Sequence, residues 1–113
     1  MRRTRQDNDL LRGAMDLLLL ASLEAGPTYG LRIIQDVQDR TGGHVQFKQG
    51  TLYPALHRLE QRALIRAESR PSESGGPPRK YYHLTAAGRE ALARERAVQR
   101  AHVTALRSYL DPT

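Results

Sequence analysis

Gln49-Gly-Thr-Leu-Tyr-Pro-Ala-Leu-His-Arg-Leu-Glu60 opens with a polar turn and then carries leucines at 52, 56 and 59; Gly75-Gly-Pro-Pro-Arg-Lys-Tyr-Tyr82 follows downstream. The i, i+4, i+7 spacing sets the three leucines on one helical face and leaves Tyr53, His57 and Arg58 on the surface. The helix is expected to start near Gly50 or Thr51, so that Pro54 falls in the first turn, where a missing N–H costs little. The second segment reads as a basic hairpin with two adjacent tyrosines. A helix that can enter a DNA groove, followed by a charged β-wing, is the pattern of a winged helix-turn-helix.

Working outward, residues 1 to 8 read as a polar arm whose Arg2, Arg3 and Arg5 either lie along DNA or are solvated. From Asp9 to Leu23, Leu10, Leu11, Ala14, Met15, Leu18 and Leu23 fit a helix, and the block Leu17 to Leu20 makes it the centre of the core. Ala25-Gly-Pro27 stops it. Thr28 is placed to N-cap a second helix over Tyr29 to Thr41, with Ile33, Ile34 and Val37 inward and Gly42-Gly43 as its end. His44 to Lys48 alternates like a very short extended piece.

Leu64-Ile65 opens a strand to Arg70, Pro71 to Pro78 is a Ser/Gly/Pro-rich tip, and Arg79 to Leu84 is the return strand. Tyr81 and Tyr82 must point to opposite faces, and Tyr82 is expected inward with Leu84. Thr85 caps a last helix from Ala86 to about Leu110. The predicted order is α-α-α-β-β-α, a mainly α chain with a β-hairpin. It divides into an arm (1–8), a winged helix-turn-helix (9–84) and a C-terminal dimerisation helix (85–113).

That last helix carries Leu92, Val103, Leu106 and Leu110 near heptad spacing. At ~1.5 Å per residue it is longer than so small a domain needs to cover itself. The stripe either folds back on its own core or, as its length favours, pairs with a second copy. Arg94, Arg96, Arg100 and Arg107 are expected on its outer face.

At 113 residues the chain makes one domain, and the absence of cysteine excludes disulfides and thiolate metal sites. A net charge of +6 and a pI near 10.3 favour a polyanionic partner, although many soluble proteins carry as much. Leu17 to Leu23, the longest apolar run, falls far short of the ~20 residues of a membrane span; it also lacks a signal-peptide cleavage context, which points to the cytoplasm. His44, His57, His83 and His102 show no metal-ligand spacing. No Ser/His/Asp constellation or glycine-rich phosphate loop stands out, so neither an enzyme nor a cofactor is expected.

The candidate DNA contacts follow from position. Lys48, Gln49, Thr51 and Tyr53 stand at a helix start, where exposed N–H groups attract phosphate and side chains reach base edges. Gln49 suits an adenine, and the Thr51 and Tyr53 hydroxyls suit phosphate; the plainer roles are capping for Thr51 and packing for Tyr53. His57 and Arg58 either touch DNA or decorate the helix surface. Arg79, Lys80 and Tyr81 on the wing straddle phosphates or enter the minor groove, unless the hairpin is merely solvated. A winged-helix interaction module that does not read DNA is the alternative.

With helix and wing in hand, the chain resembles the short type of PadR-family transcriptional regulators. The matching residues are Gly50-Thr-Leu-Tyr-Pro-Ala-Leu-His-Arg-Leu-Glu60, Thr28-Tyr-Gly-Leu31, Arg79-Lys-Tyr-Tyr-His-Leu-Thr85 and Gly88. The resemblance runs from roughly residue 10 to 95. It implies a homodimer whose winged helix binds double-stranded operator DNA and whose C-terminal helix makes the dimer contact. It further implies repression, often relieved by a small-molecule effector. The chain holds no tryptophan, the residue with which some relatives trap flat drugs.

Overall fold

The computed structural model describes the backbone of residues 5–111 and the side chains of residues 11–111. Its elements are α1 (Arg5–Ser22), β1 (Thr28–Tyr29), α2 (Gly30–Arg40), α3 (Gln49–Gln61), β2 (Ile65–Arg70), β3 (Arg79–Leu84) and α4 (Ala86–Leu110). Helix α1 starts at Arg5, inside the stretch read as an arm; Arg2 and Arg3 lie outside the described residues, as does the Arg5 side chain.

The core forms where the helical stripes converge on the hairpin. Leu19 and Leu20 of α1, Leu23 just after it, Ile33 and Val37 of α2, and Leu52, Leu56 and Leu59 of α3 are all at most 3 % exposed. They pack with Ile65, Tyr82 and Leu92 in one cluster, and Leu84 lies against it. Tyr82 thus takes the inner face of the wing. Truncating a leucine of this kind to alanine typically costs ~2–5 kcal/mol.

Three expectations are corrected. Thr28 does not cap α2. Thr28 and Tyr29 form a short strand paired with Tyr82 and Tyr81, giving a sheet of order β1-β3-β2 rather than a lone hairpin. The exposed edge of β3 supplies ladder partners that outweigh the local capping preference, and α2 begins one residue later with no side-chain cap. The stretch 44–48 is not a strand either. Its first two residues are tied back to Thr41 instead of to a strand: His44 N–H donates to Thr41 O at 3.1 Å, Val45 N–H donates to Thr41 Oγ1 at 3.0 Å, and that hydroxyl donates to Val37 O at 2.8 Å. Finally, α3 starts at Gln49, so Pro54 sits in its second turn and leaves the Gly50 carbonyl without its i+4 donor.

Helices α2 and α3 end by the same device with different residues. After α2, Gly43 N–H reaches Gln38 O at 2.7 Å and Gly42, at φ 60°, bonds Asp39 O at 3.2 Å. After α3, Leu64 N–H reaches Leu59 O at 3.0 Å and Ala63, at φ 59°, bonds Glu60 O at 2.9 Å. Both are Schellman ends. A Cβ in the left-handed region is costly, so Ala63→Gly is expected to raise stability by about 0.5–1 kcal/mol despite the more flexible unfolded chain. An unchanged or lower midpoint in urea would refute this.

Thr85 begins α4 as its sequence predicts, accepting from Gly88 N–H at 3.0 Å, and its own hydroxyl donates to Ala63 O at 2.7 Å. The helix then packs along α1. Arg96 is half-buried and, instead of standing free on the outer face as expected, grips Glu24 just beyond α1 with two hydrogen bonds of 2.8 and 2.7 Å. The Arg96 hydrogen bond holds the Glu24 carboxyl below its usual range. A depressed folded pKa means this contact stabilises at neutral pH and is lost as acid protonates Glu24. Arg62 lies 3.2 Å from Asp16, whose carboxyl is nevertheless raised because burial outweighs the arginine. Leu92, grouped with the dimer contacts by its spacing, is 2 % exposed and belongs to its own chain's core. Among the described helices none is long and apolar enough to cross a membrane.

Candidate nucleic-acid interface

Helix α3 buries Leu52, Ala55, Leu56 and Leu59 and leaves Gln49, Gly50, Thr51, Tyr53, Pro54, His57, Arg58 and Gln61 exposed. At about 100° per residue, Gly50, Pro54, His57 and Gln61 form the ridge opposite the leucines. Tyr53 flanks it on one side, with Thr51 and Arg58 on the other. Pro54 and Gln61 belong to this ridge although motif reading passed over them. Lys48, in extended conformation, is the N-cap, and no side chain caps the first turn. Thr51 is therefore not the cap, and its exposed hydroxyl is available.

Tyr53 has a double position. It is 40 % exposed, yet its hydroxyl and ring lie so close to Gly30 that a Cβ built there would meet the hydroxyl at 2.5 Å. Packing and exposure therefore coexist at this ring. The contact joins α3 to the start of α2, one residue from Tyr29.

The wing is a regular antiparallel ladder from Ile65↔Leu84 to Arg70↔Arg79, with the 71–78 tip free of regular structure. Alternation sends Arg79 and Tyr81 to one face and Lys80 and Tyr82 to the other. Arg79 and Lys80 are both exposed but diverge, whereas Tyr81 is half-buried. The Tyr81 and Tyr29 rings meet edge-on, centroids 5.4 Å apart at 63°. Arg70 lies over Tyr81 at 4.6 Å and Arg79 over Tyr29 at 4.4 Å. Each such stack contributes about 0.5–1 kcal/mol at an exposed site, enough to orient a guanidinium. Below it, Glu68 is held under its usual range by Arg70 at 3.2 Å and by His83 at 2.7 Å.

The predicted contacts thus fall into two groups: Lys48, Gln49, Thr51, Tyr53, His57 and Arg58 on α3, and Arg79, Lys80 and Tyr81 on the wing. The Tyr53–Gly30–Tyr29–Tyr81 succession connects them. Tyr29 and Arg70, which stack with Tyr81 and Arg79, were not singled out from the sequence. Only the ladder register betrays Arg70, and Tyr29 is hidden by reading its segment as helix. Among the described residues no three His, Asp or Glu side chains converge to hold a metal ion.

A family model described as the transcriptional regulator PadR-like family matches residues 19–94. A transcriptional regulator of Mycobacterium tuberculosis, Rv3488, is 38% identical over 85 residues, covering 75% of each chain. The structure of a transcriptional regulator from Clostridium thermocellum aligns at TM-score 0.79 and 25% identity, over 91% of this chain and 99% of that one. A PadR family transcription regulator from Clostridium difficile aligns at TM-score 0.72 and 32% identity, over 85% and 97%.

Proposed function

The chain belongs to the PadR-like family of transcriptional regulators, a DNA-binding and non-enzymatic family, and from that membership we propose that it is a homodimeric repressor reading a two-fold operator. The observation that carries this reading is the continuous surface from the α3 ridge through Tyr53 and Gly30 to the wing cations. In this reading α3 lies in the major groove and the wing meets the flanking backbone or minor groove.

The homodimer rests on α4. Val103, Leu106, Tyr109 and Leu110 are 51 to 88 % exposed at its far end, an apolar surface that a monomer would leave in water. Beside them a groove of about 610 Å³ runs between α1, α2 and α4, with Leu17, Leu18, Val37 and Val103 on its walls and Arg100 and Arg107 at its margin. Its size lies within the ~300–1,000 Å³ of small-molecule sites. Relief of repression by an apolar anion held there, beneath the second subunit, is the regulatory half of the proposal.

Fluorescence anisotropy with DNA from the gene's own upstream region against scrambled DNA tests the operator reading. Specific binding is expected at roughly 10⁻⁸ to 10⁻¹¹ M, with a preference of at least about a thousandfold. Equal, weak and salt-erased binding to both duplexes would sink it. Arg79→Ala with Lys80→Ala should reduce the slope of log affinity against log salt by about one to two units, if each cation neutralises one phosphate. An unchanged slope would remove the wing from the interface.

A further inference from the structure

We propose a second phosphate-binding site at the root of the wing: the concavity of about 500 Å³ walled by Tyr29, Arg32, Arg70, Arg79 and Tyr81 takes a phosphodiester of the DNA backbone outside the stretch read by α3. This rests on the operator-binding reading above.

Electrostatics comes first. The ladder sets Arg70 directly opposite Arg79, and like charges facing each other across a strand pair repel. Arg32 adds a third cation to the same wall. Glu68 neutralises Arg70 at 3.2 Å, but among the described residues neither Arg32 nor Arg79 has a carboxylate at ion-pair distance. An anion in the concavity relieves this concentration of charge.

Geometry comes second. Arg70 and Arg79 each lie over a tyrosine ring, and the two rings brace each other edge-on. A guanidinium stacked by its face keeps its N–H edge for a planar, bidentate grip on two phosphate oxygens. Tyr29 and Tyr81 are thus positioning residues. At the rim, the Ser72 and Ser74 hydroxyls share a hydrogen bond of 2.9 Å, which leaves one proton for a further acceptor.

Location decides the source of the phosphate. Tyr29 adjoins Gly30, over which Tyr53 of α3 lies, so the concavity continues the DNA-facing surface. Its lining has Pro71 as the one aliphatic residue, too little apolar wall to hold the body of a small metabolite. Glu73 is the single carboxylate on the lining; it opposes the anion and sets the sign of one test.

The test is a methylphosphonate scan, in which one backbone phosphate at a time in the operator duplex is made neutral. The native protein is expected to lose about tenfold in affinity at one flanking position per half-site, the worth of a charge-assisted hydrogen bond. Arg32→Gln should bind the unmodified duplex severalfold more weakly, lose less than the native protein at that position because Arg70 and Arg79 remain, and show a salt slope lower by about one. Arg32 is exposed and makes no ion pair among the described residues, so an unchanged thermal midpoint is expected. Glu73→Gln should tighten binding, and Tyr29→Leu should weaken it severalfold at unchanged slope, because the charge stays while its orientation is lost.

Identical scans for the native protein and Arg32→Gln overturn the proposal while leaving the operator reading intact. A native protein that does not retain its upstream DNA overturns both. Calorimetric titration with inorganic phosphate separates the sources. Arg32-dependent binding of phosphate alongside a flat scan would assign the concavity to a free anion and overturn the DNA assignment.

Discussion

Leu106→Glu is expected to turn the proposed dimer into a monomer and to lower operator affinity by a factor on the order of 10² to 10³. Leu106 is 60 % exposed in the single chain, between Val103 at 51 % and Leu110 at 76 %. Pairing two copies along this stripe removes it from water, and a carboxylate at its centre would have to be desolvated without a partner, at a cost of several kcal/mol. The DNA effect follows from valency. Two winged helices joined in one molecule bind their half-sites at an effective concentration in the millimolar range, and separation forfeits that gain. Leu106 lies about 21 Å along the helix from the buried Leu92, at ~1.5 Å per residue, so the domain should still fold, with its melting temperature lowered only by the lost subunit association. Sedimentation velocity checks the mass and anisotropy the affinity. A variant that remains dimeric would move the interface away from the end of α4; a native chain that sediments as a monomer would dismiss the homodimer.

Gly88→Ala is expected to be the most damaging single methyl group in the chain, at about 3 kcal/mol or more. A Cβ at this position would run into the Leu64 carbonyl oxygen and come within 2.8 Å of Leu84 Cδ1. The Leu64 carbonyl cannot retreat freely, since it accepts the Thr85 N–H at 3.1 Å where α4 begins. Nor can Leu64 itself, which closes the Schellman end of α3. The methyl therefore forces α4 off the body of the domain. A fall in Tm on the order of 10 °C or more follows for a domain of this size. A loss under about 2 °C would show that α4 does not approach so closely. Operator binding well below the new Tm should persist, because Gly88 lies outside the proposed interface.

The two interface groups differ in how they were legible. The α3 ridge follows from helical periodicity: once Leu52, Leu56 and Leu59 face inward, the outward residues are determined. The wing strands follow from alternation, which set Tyr81 and Tyr82 on opposite faces, while the register of the sheet decided that Tyr82 is the buried one. The ends of α3 were harder. Its start came earlier than Pro54 suggested, and its Schellman end at Ala63 carries no glycine to announce it, whereas Gly42-Gly43 announces the same motif after α2. Arg96 and Leu92 were misassigned for a common reason. Heptad and charge spacing describe one helix alone, and the face that α1 covers is not written in α4.

By itself, then, the chain determined the elements that rest on local periodicity and capping: the leucine face of α3, the alternating wing and Thr85 at the head of α4. Tertiary structure decided what depends on a partner distant in sequence. Thr28 and Tyr29 became a strand because β3 offered an open edge. Gly88 is indispensable because the Leu64 carbonyl lies against it. Arg70, Arg79 and Arg32 form one concavity only because the sheet brings Tyr29 beside Tyr81. A residue's own propensity is worth tenths of a kcal/mol, whereas burial and ladder pairing are worth one to several, so the long-range contact prevails wherever the two disagree.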